Sequence, residues 1–162
     1  AAFERSLLSG NSPYDRYVLQ QQTYAMSESQ QRGHQLFLSD SLACATCHSG
    51  FLFTDQSFQN NGLYEIYADS GRIHFTRKNE DLAKFKVPSL RNIAQTAPYM
   101  HDGSKKTLSE VVEHYAMGGK QHPSKSPLLR GFSLTEQQKN DLVQFLYALT
   151  DTSFCQNPLF LP

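Results

Sequence analysis

The sequence predicts a small all-α domain with long loops, and three observations support this fold class. Helix-start motifs precede apolar residues at helical spacing in several segments. No stretch shows a dependable strand-like alternation of polar and apolar residues. Residues 49–87 mix Gly, Asn, Asp and aromatic residues without sustained periodicity, and 119–132 (GKQHPSKSPLLRGF) is typical of a loop. At 162 residues, the chain has the length of one domain.

Two of the predicted helices lie in the first part of the chain. Ser27–Leu38 opens with Ser and Glu and carries Leu36 and Phe37 near its end, which is the pattern of a capped helix with an apolar face. A shorter helix is expected within the first eight residues, where Ala2, Phe3, Leu7 and Leu8 look like the tail of a helix that began earlier.

The other two predicted helices begin at capping boxes. Thr107-Leu-Ser-Glu110 is a box of the S/T-x-x-E type, and Gly118-Gly119 is the stop signal of the helix that follows it. Ser133-Leu-Thr-Glu136 is read as a second box, opening a helix that runs to about Thr150. Apolar residues recur along that helix at i, i+3, i+4 and i+7: Leu142, Phe145, Leu146 and Leu149.

Composition excludes two classes of partner. Lys+Arg and Asp+Glu both number 15, and no basic run is visible, which argues against nucleic acid. No apolar run approaches the roughly 20 residues that a membrane-spanning helix needs. The chain lacks an initiator Met and a signal-peptide pattern, so we expect a mature or truncated chain that forms the C-terminal part of something longer. Eleven Phe and eight Tyr can pack around a large planar cofactor.

The strongest chemical signal is Cys44-Ala-Thr-Cys47-His48, a CxxCH motif. Two thiols at this spacing can add to the vinyl groups of haem, and the adjacent His is then placed as an iron ligand. A zinc site would need a second Cys or His pair, and a thioredoxin-like CxxC would follow a strand; neither is present. The motif predicts one covalent c-type haem. Cys155 is left over and is expected to pack as a small hydrophobe in the tail.

Together with the haem motif, the predicted helices suggest the arrangement found in cytochrome c folds. Gly33 suits close contact between the helix that contains it and the C-terminal helix, beside the haem. Of the six histidines, His101 stands out because it lies in the turn Ala97-Pro-Tyr-Met-His-Asp-Gly103. It is either a hydrogen-bonded turn residue or a functional group that lines the distal side of the haem or fixes a propionate.

Three blocks of sequence extend this interpretation to a family. Residues 85–119 (FKVPSLRNIAQTAPYMHDGSKKTLSEVVEHYAMGG), the CxxCH motif and 134–151 (LTEQQKNDLVQFLYALTD) resemble the bacterial di-haem cytochrome c peroxidase/MauG family over essentially the whole chain. The resemblance implies a periplasmic C-terminal haem domain. It implies one cytochrome c-like domain over 1–162, with an N-terminal or inter-domain segment at 1–26, a haem-binding core at 27–151 and a tail at 152–162.

Family members carry two CxxCH motifs, whereas this chain has one. The missing N-terminal haem is the one at which hydrogen peroxide reacts in the family. The resemblance therefore implies that the partner is an N-terminal haem domain of the same protein or of a second chain. An electron donor or a protein substrate would be a further partner.

Several site roles follow from the resemblance alone. Thr96 and Pro98 match positions that bind calcium through backbone oxygens in relatives, and calcium favours oxygen ligands. His101 matches a histidine that lies close to the distal face. Arg91 is expected to orient a haem propionate or the neighbouring loop, because a guanidinium pairs with carboxylates.

The second iron ligand is the point that the sequence leaves open. In relatives it lies fourteen residues after the HDG histidine, as Met in the peroxidases and Tyr in MauG-like members; here that position is Tyr115. Tyr115 also shares a helix face with Leu108, whereas Met117 lies about 180° from Leu108 at about 100° per residue. The Gly-Gly stop could still unwind the last turn and bring Met117 round. Met100, His101 and an open site are further alternatives, with Met100 otherwise packing on the haem edge.

Two functional hypotheses follow. With His48 and Tyr115 as ligands, the chain is a redox domain of a MauG-like oxidoreductase, in which a hard phenolate favours oxidised iron and Tyr115 and His101 take part in the chemistry. With His48 and Met117, it is a stand-alone mono-haem electron carrier, because a soft thioether favours ferrous iron and raises the reduction potential.

Overall fold

The computed structural model describes residues 7–159, and its architecture is mainly helical with long loops. In these residues the α-helices are α1 (Pro13–Val18), α2 (Glu28–Leu38), α3 (Cys44–Cys47), α4 (Ile73–Thr76), α5 (Leu108–Ala116), α6 (Glu136–Tyr147) and α7 (Thr152–Cys155). Short 3-10 turns span Asn79–Asp81 and Ile93–Gln95. Within this part of the chain, no helix is long and apolar enough to cross a bilayer.

Helix α2 begins where the sequence predicts. The Ser27 hydroxyl accepts from the Gln30 amide at 3.3 Å, and the Gln30 side chain accepts from the Ser27 amide at 2.9 Å. This reciprocal pair satisfies two backbone donors that the helix itself leaves free. Gly33 and Phe37 face the core.

Helix α5 also confirms its predicted capping box. The Glu110 carboxylate accepts from the Thr107 amide at 2.8 Å, and the Thr107 hydroxyl accepts from the Glu110 amide at 3.2 Å. Leu108 and Val112 are buried on the predicted apolar face. The helix ends before Gly118, whose φ of +76° is a conformation that favours glycine.

The predicted start of α6 is wrong by two residues. Its N-cap is Thr135 and the reciprocal partner is Gln138, so the box predicted at Ser133 and Glu136 does not form. Both pairs fit the same S/T-x-x-E/Q pattern, and local sequence could not rank them. The helix ends at Tyr147 rather than near Thr150.

Helix α1 was not predicted. It is capped by Ser12 and Asp15, whose carboxylate accepts from the Ser12 amide at 2.9 Å, and Pro13 occupies the first turn. The S-P-Y-D pattern carried this signal. The helix predicted in the first eight residues falls mostly outside the described residues, and Leu7 and Leu8 are not helical.

The fold departs from strictly all-α in one small ribbon. Strands β1 (Phe58–Gln59) and β2 (Phe85–Lys86) pair antiparallel, with Phe58 opposite Lys86. Two residues per strand are too few for an alternating pattern to be recognised in the sequence. The segment 119–132 contains no helix, as predicted.

The core lies where α2 crosses α6. A methyl group at Gly33 would sit 1.9 Å from the carbonyl oxygen of Asp141, so the helices touch backbone to backbone. Phe145 is fully buried beside this contact and packs on Phe37 and Phe53. The crossing confirms the close helix contact predicted for Gly33.

Candidate haem site

A cavity of about 530 Å³ opens between α3, α5, α6 and the loop that precedes α6. Most of its wall is apolar, which suits a large planar hydrophobic ligand. The apolar lining residues include Phe37, Leu42, Val87, Leu90, Ile93, Val111, Val112, Leu128, Leu129, Phe132, Leu142 and Leu146.

Cys44, Cys47 and His48 line this cavity together. The two cysteines are the ends of the one-turn helix α3, which begins after Ala43 in a left-handed conformation. His48 follows directly, and its Nδ1 lies 3.1 Å from the carbonyl oxygen of Phe53. A carbonyl only accepts, so Nδ1 carries the proton and Nε2 keeps its lone pair. Burial lowers the pKa of His48, which keeps the ring neutral as a metal ligand requires.

The two sulfurs are free thiols rather than a disulfide. Burial raises the pKa of the Cys44 thiol to about 11, and burial also raises that of Cys47. Neutral thiols lining an apolar cavity are poor metal ligands, which argues against a metal ion bound directly by the two sulfurs.

Tyr115 on α5 lines the same cavity. Burial raises the pKa of its phenol; the Asn61 side chain acts in the opposite direction, and the nearby Cys44 and Cys47 sulfurs raise it further. The structure therefore brings Tyr115 and the CxxCH motif to one cavity, although more than sixty positions separate His48 from Tyr115 in the chain.

The two methionines considered as iron ligands lie elsewhere. Met117 is 74% exposed, and its amide still donates to Glu113 at 3.0 Å, so the last turn does not unwind to bring the thioether inward. Met100 is outside the cavity wall, and its sulfur accepts from the Asn61 side-chain amide at 3.3 Å.

His101 and Arg91 also lie outside the cavity wall. His101 is exposed and stacks on Phe85, with the ring centres 3.9 Å apart. Its expected role on the distal side of the haem stays a prediction. The Arg91 guanidinium pairs with buried Asp15 at 2.6 Å and donates to the Phe51 carbonyl at 2.8 Å. These contacts match the expected role in orienting a loop, and a contact of Arg91 with a haem propionate stays a prediction.

Thr96 and Pro98, the positions expected to bind calcium, lie on an exposed turn that includes a cis Ala97-Pro98 bond. The Thr96 hydroxyl donates to the Ile93 carbonyl at 3.1 Å. In the described part of the chain, no group of three or more His, Cys, Asp or Glu side chains is arranged to hold a metal ion. Calcium at this turn stays a prediction.

The cavity has polar lining residues that the sequence did not reveal: Gln59, Asn61, Ser126 and Arg130. The Ser126 hydroxyl is buried without a hydrogen-bond partner among the described residues. Single polar residues in loops carry no spacing pattern, so only the tertiary structure identifies them. Two thiols, a neutral imidazole and an apolar slot with a few polar groups fit a c-type haem.

Comparison with known proteins decides the family. A family model described as Cytochrome c matches residues 30–150. The chain belongs to the cytochrome c family. Membership in this family implies haem c and a redox role for it, as the CxxCH motif predicts.

The relatives of this cytochrome c domain confirm the family resemblance seen in the sequence. It is 40% identical over 151 residues to the methylamine utilization protein MauG of Methylorubrum extorquens, covering 92% of this chain and 42% of that protein. It is 36% identical over 184 residues to cytochrome-c peroxidase IdrP1 of Denitromonas iodatirespirans, covering 94% and 48%. The chain spans less than half the length of these relatives.

A solved structure shows the same fold. The crystal structure of a MauG-like protein associated with microbial copper homeostasis superposes with a TM-score of 0.91 at 37% identity. The match covers 99% of this chain and 54% of that one. The fold of this chain therefore matches about half of that MauG-like protein.

Proposed function

We propose that this chain is the C-terminal haem domain of a MauG-like di-haem oxidoreductase and binds one covalent haem c between His48 and Tyr115. The observation that carries the proposal is the position of Tyr115 in the cavity wall with Cys44, Cys47 and His48, while Met117 is exposed. The bound haem supplies one-electron redox chemistry.

The chain's own residues would do four things for that chemistry. Cys44 and Cys47 would hold the haem through thioether bonds, and His48 would bind it through Nε2 while Nδ1 donates to the carbonyl oxygen of Phe53. The apolar wall excludes water. Tyr115 presents a hard phenolate oxygen, which favours oxidised over ferrous iron.

In the complete protein, this domain would exchange electrons with a second, peroxide-reactive haem on the remaining half, and with an external donor or protein substrate. The names of the relatives, MauG and cytochrome-c peroxidase, support this assignment, as does the fraction of their length that the chain covers. A periplasmic location belongs to the same proposal. So does calcium at Thr96 and Pro98, completed by oxygen ligands from the other half.

The test is the ferric absorption and resonance Raman spectrum of the haem-loaded protein. Tyr115 ligation predicts a tyrosinate charge-transfer band that Tyr115→Phe abolishes and Met117→Leu leaves unchanged. A methionine-type near-infrared band that disappears in Met117→Leu would refute this ligation and favour the mono-haem electron carrier.

A further inference from the structure

A buried asparagine fixes the short turn at residues 60–62 that reaches the cavity. The Asn60 side chain is fully buried; its amide donates to Ser124 Oγ at 3.0 Å, and its carbonyl accepts from Tyr67 at 2.7 Å and from the Gly62 amide at 2.8 Å. A side chain with this many partners holds the backbone of the turn in one position.

The same turn is joined to the end of α5. Buried His114 donates from Nε2 to the carbonyl oxygen of Asn61 at 2.8 Å, and the Lys120 amide donates to Gly62 at 2.6 Å. A methyl group at Gly119 would lie 2.8 Å from that Asn61 oxygen, so the two segments are in backbone contact. Because His114 precedes Tyr115 in the same helix, Asn61 and Tyr115 are held in a fixed relation.

The Asn61 side chain reaches from this turn to the cavity. It lines the cavity together with Tyr115, and its Nδ2 donates to the sulfur of Met100 at 3.3 Å. The Asn61 side chain also lowers the pKa of the Tyr115 phenol, which is the direction expected of a hydrogen-bond donor. An NH₂ group has two hydrogens. One is used by the Met100 thioether, and the other is available to the phenol oxygen.

We propose that Asn61 is a positioning residue for Tyr115: one N–H donates to the ligand oxygen while the other holds the Met100 sulfur away from the iron. This inference rests on the proposed Tyr115 ligation and goes beyond it. A hydrogen bond to a phenolate oxygen draws electron density from it. Asn61 thereby sets how strongly the oxygen donates to iron and keeps a competing sulfur engaged.

The experiment compares the tyrosinate charge-transfer band of the haem-loaded protein before and after Asn61→Leu, which removes the donor at similar size. Loss of the hydrogen bond raises the energy of the phenolate electrons, so the band moves to longer wavelength. If the sulfur of Met100 replaces the phenol, the tyrosinate band disappears and a methionine-type band takes its place; either result supports the proposal. An unchanged band in correctly folded, haem-loaded Asn61→Leu overturns it.

A second variant shows whether a spectral change in Asn61→Leu comes from the lost hydrogen bond or from misfolding. Asn61→Asp keeps the shape but replaces the N–H donor by an oxygen, so above neutral pH the band should again move to longer wavelength or disappear. Asn79→Leu makes the same chemical change at an exposed position and should leave the spectrum as in the wild type. Absence of a tyrosinate band in the unmutated protein would refute the ligation itself, whereas a band insensitive to Asn61 refutes only the role of Asn61.

Discussion

The contact at Gly33 predicts that a single added methyl group will damage the fold. Gly33→Ala places Cβ 1.9 Å from the Asp141 carbonyl oxygen and 2.8 Å from Cβ of Phe145. Neither atom can move away by a side-chain rotation, because the Asp141 oxygen belongs to the backbone of α6 and the Phe145 Cβ is bonded directly to it. Helices α2 and α6 must therefore move apart by about 1 Å to reach an ordinary contact distance.

The magnitude follows from three contributions. Overpacking a close helix contact costs about 1–3 kcal/mol. Separation also stretches the bonds across the same interface, where Asp141 accepts from Arg32 at 2.8 Å and from Ser29 at 2.5 Å, and such charged hydrogen bonds contribute about 1.5–3 kcal/mol. Ala has a higher helix propensity than Gly, which offsets about 1 kcal/mol of this loss in stability. The net loss is about 3 kcal/mol, or roughly 6–12 °C in the midpoint of thermal unfolding.

Thermal and urea unfolding of the haem-loaded protein, followed by circular dichroism, measure this loss. Gly10→Ala is the matched control, since its Cβ would meet only the flexible ring of Phe51 at 3.3 Å and the backbone there has no positive φ. We expect the control to stay within about 0.5 kcal/mol of the wild type. A Gly33→Ala protein as stable as the control would refute the backbone-to-backbone crossing.

Three further predictions concern charge and attachment. Asp141→Asn should destabilise the protein by about 1.5–3 kcal/mol near neutral pH, because the Arg32 hydrogen bond is weakened. The Arg32 hydrogen bond is the largest cause that lowers the pKa of Asp141 from 3.8 to about 2. The stabilisation from the ionised carboxylate is therefore present above pH 3.8 and is lost as the pH falls through 2. The urea midpoints of the wild type and Asp141→Asn should converge near pH 2, and a difference that stays constant with pH would contradict this origin. Arg91→Leu leaves the fully buried Asp15 carboxylate unpaired and should cost about 3–5 kcal/mol in urea unfolding, most of which Asp15→Asn in the same chain should restore. Cys47→Ala should leave haem bound through one thioether, shifting the pyridine haemochrome band to longer wavelength; an unshifted band would show that Cys47 forms no bond to haem.

The sequence was most informative where structure and chemistry depend on neighbours in the chain. The helix start at Ser27 and the capping box at Thr107 were predicted correctly, because the groups that cap a helix lie within three residues of each other. The same local reasoning could not choose between Ser133 and Thr135 for α6, and it overlooked the pattern at Ser12. The role expected of His101 came from the turn that contains it and from family resemblance, and that of Arg91 from the resemblance alone. In the structure neither residue lines the cavity.

The sequence by itself determined that the chain carries a CxxCH haem motif, which helix face holds Tyr115, and that Gly33 allows two helices to touch. Each of these properties depends on spacing within one segment, which the periodicity of the backbone converts directly into geometry. Only the tertiary structure decided that Tyr115 and Asn61 lie in the cavity wall with His48, and that Asn61 bonds to Met100. The physical reason is distance along the chain: His114 reaches Asn61 across 53 positions, and no local pattern encodes a contact that packing alone creates.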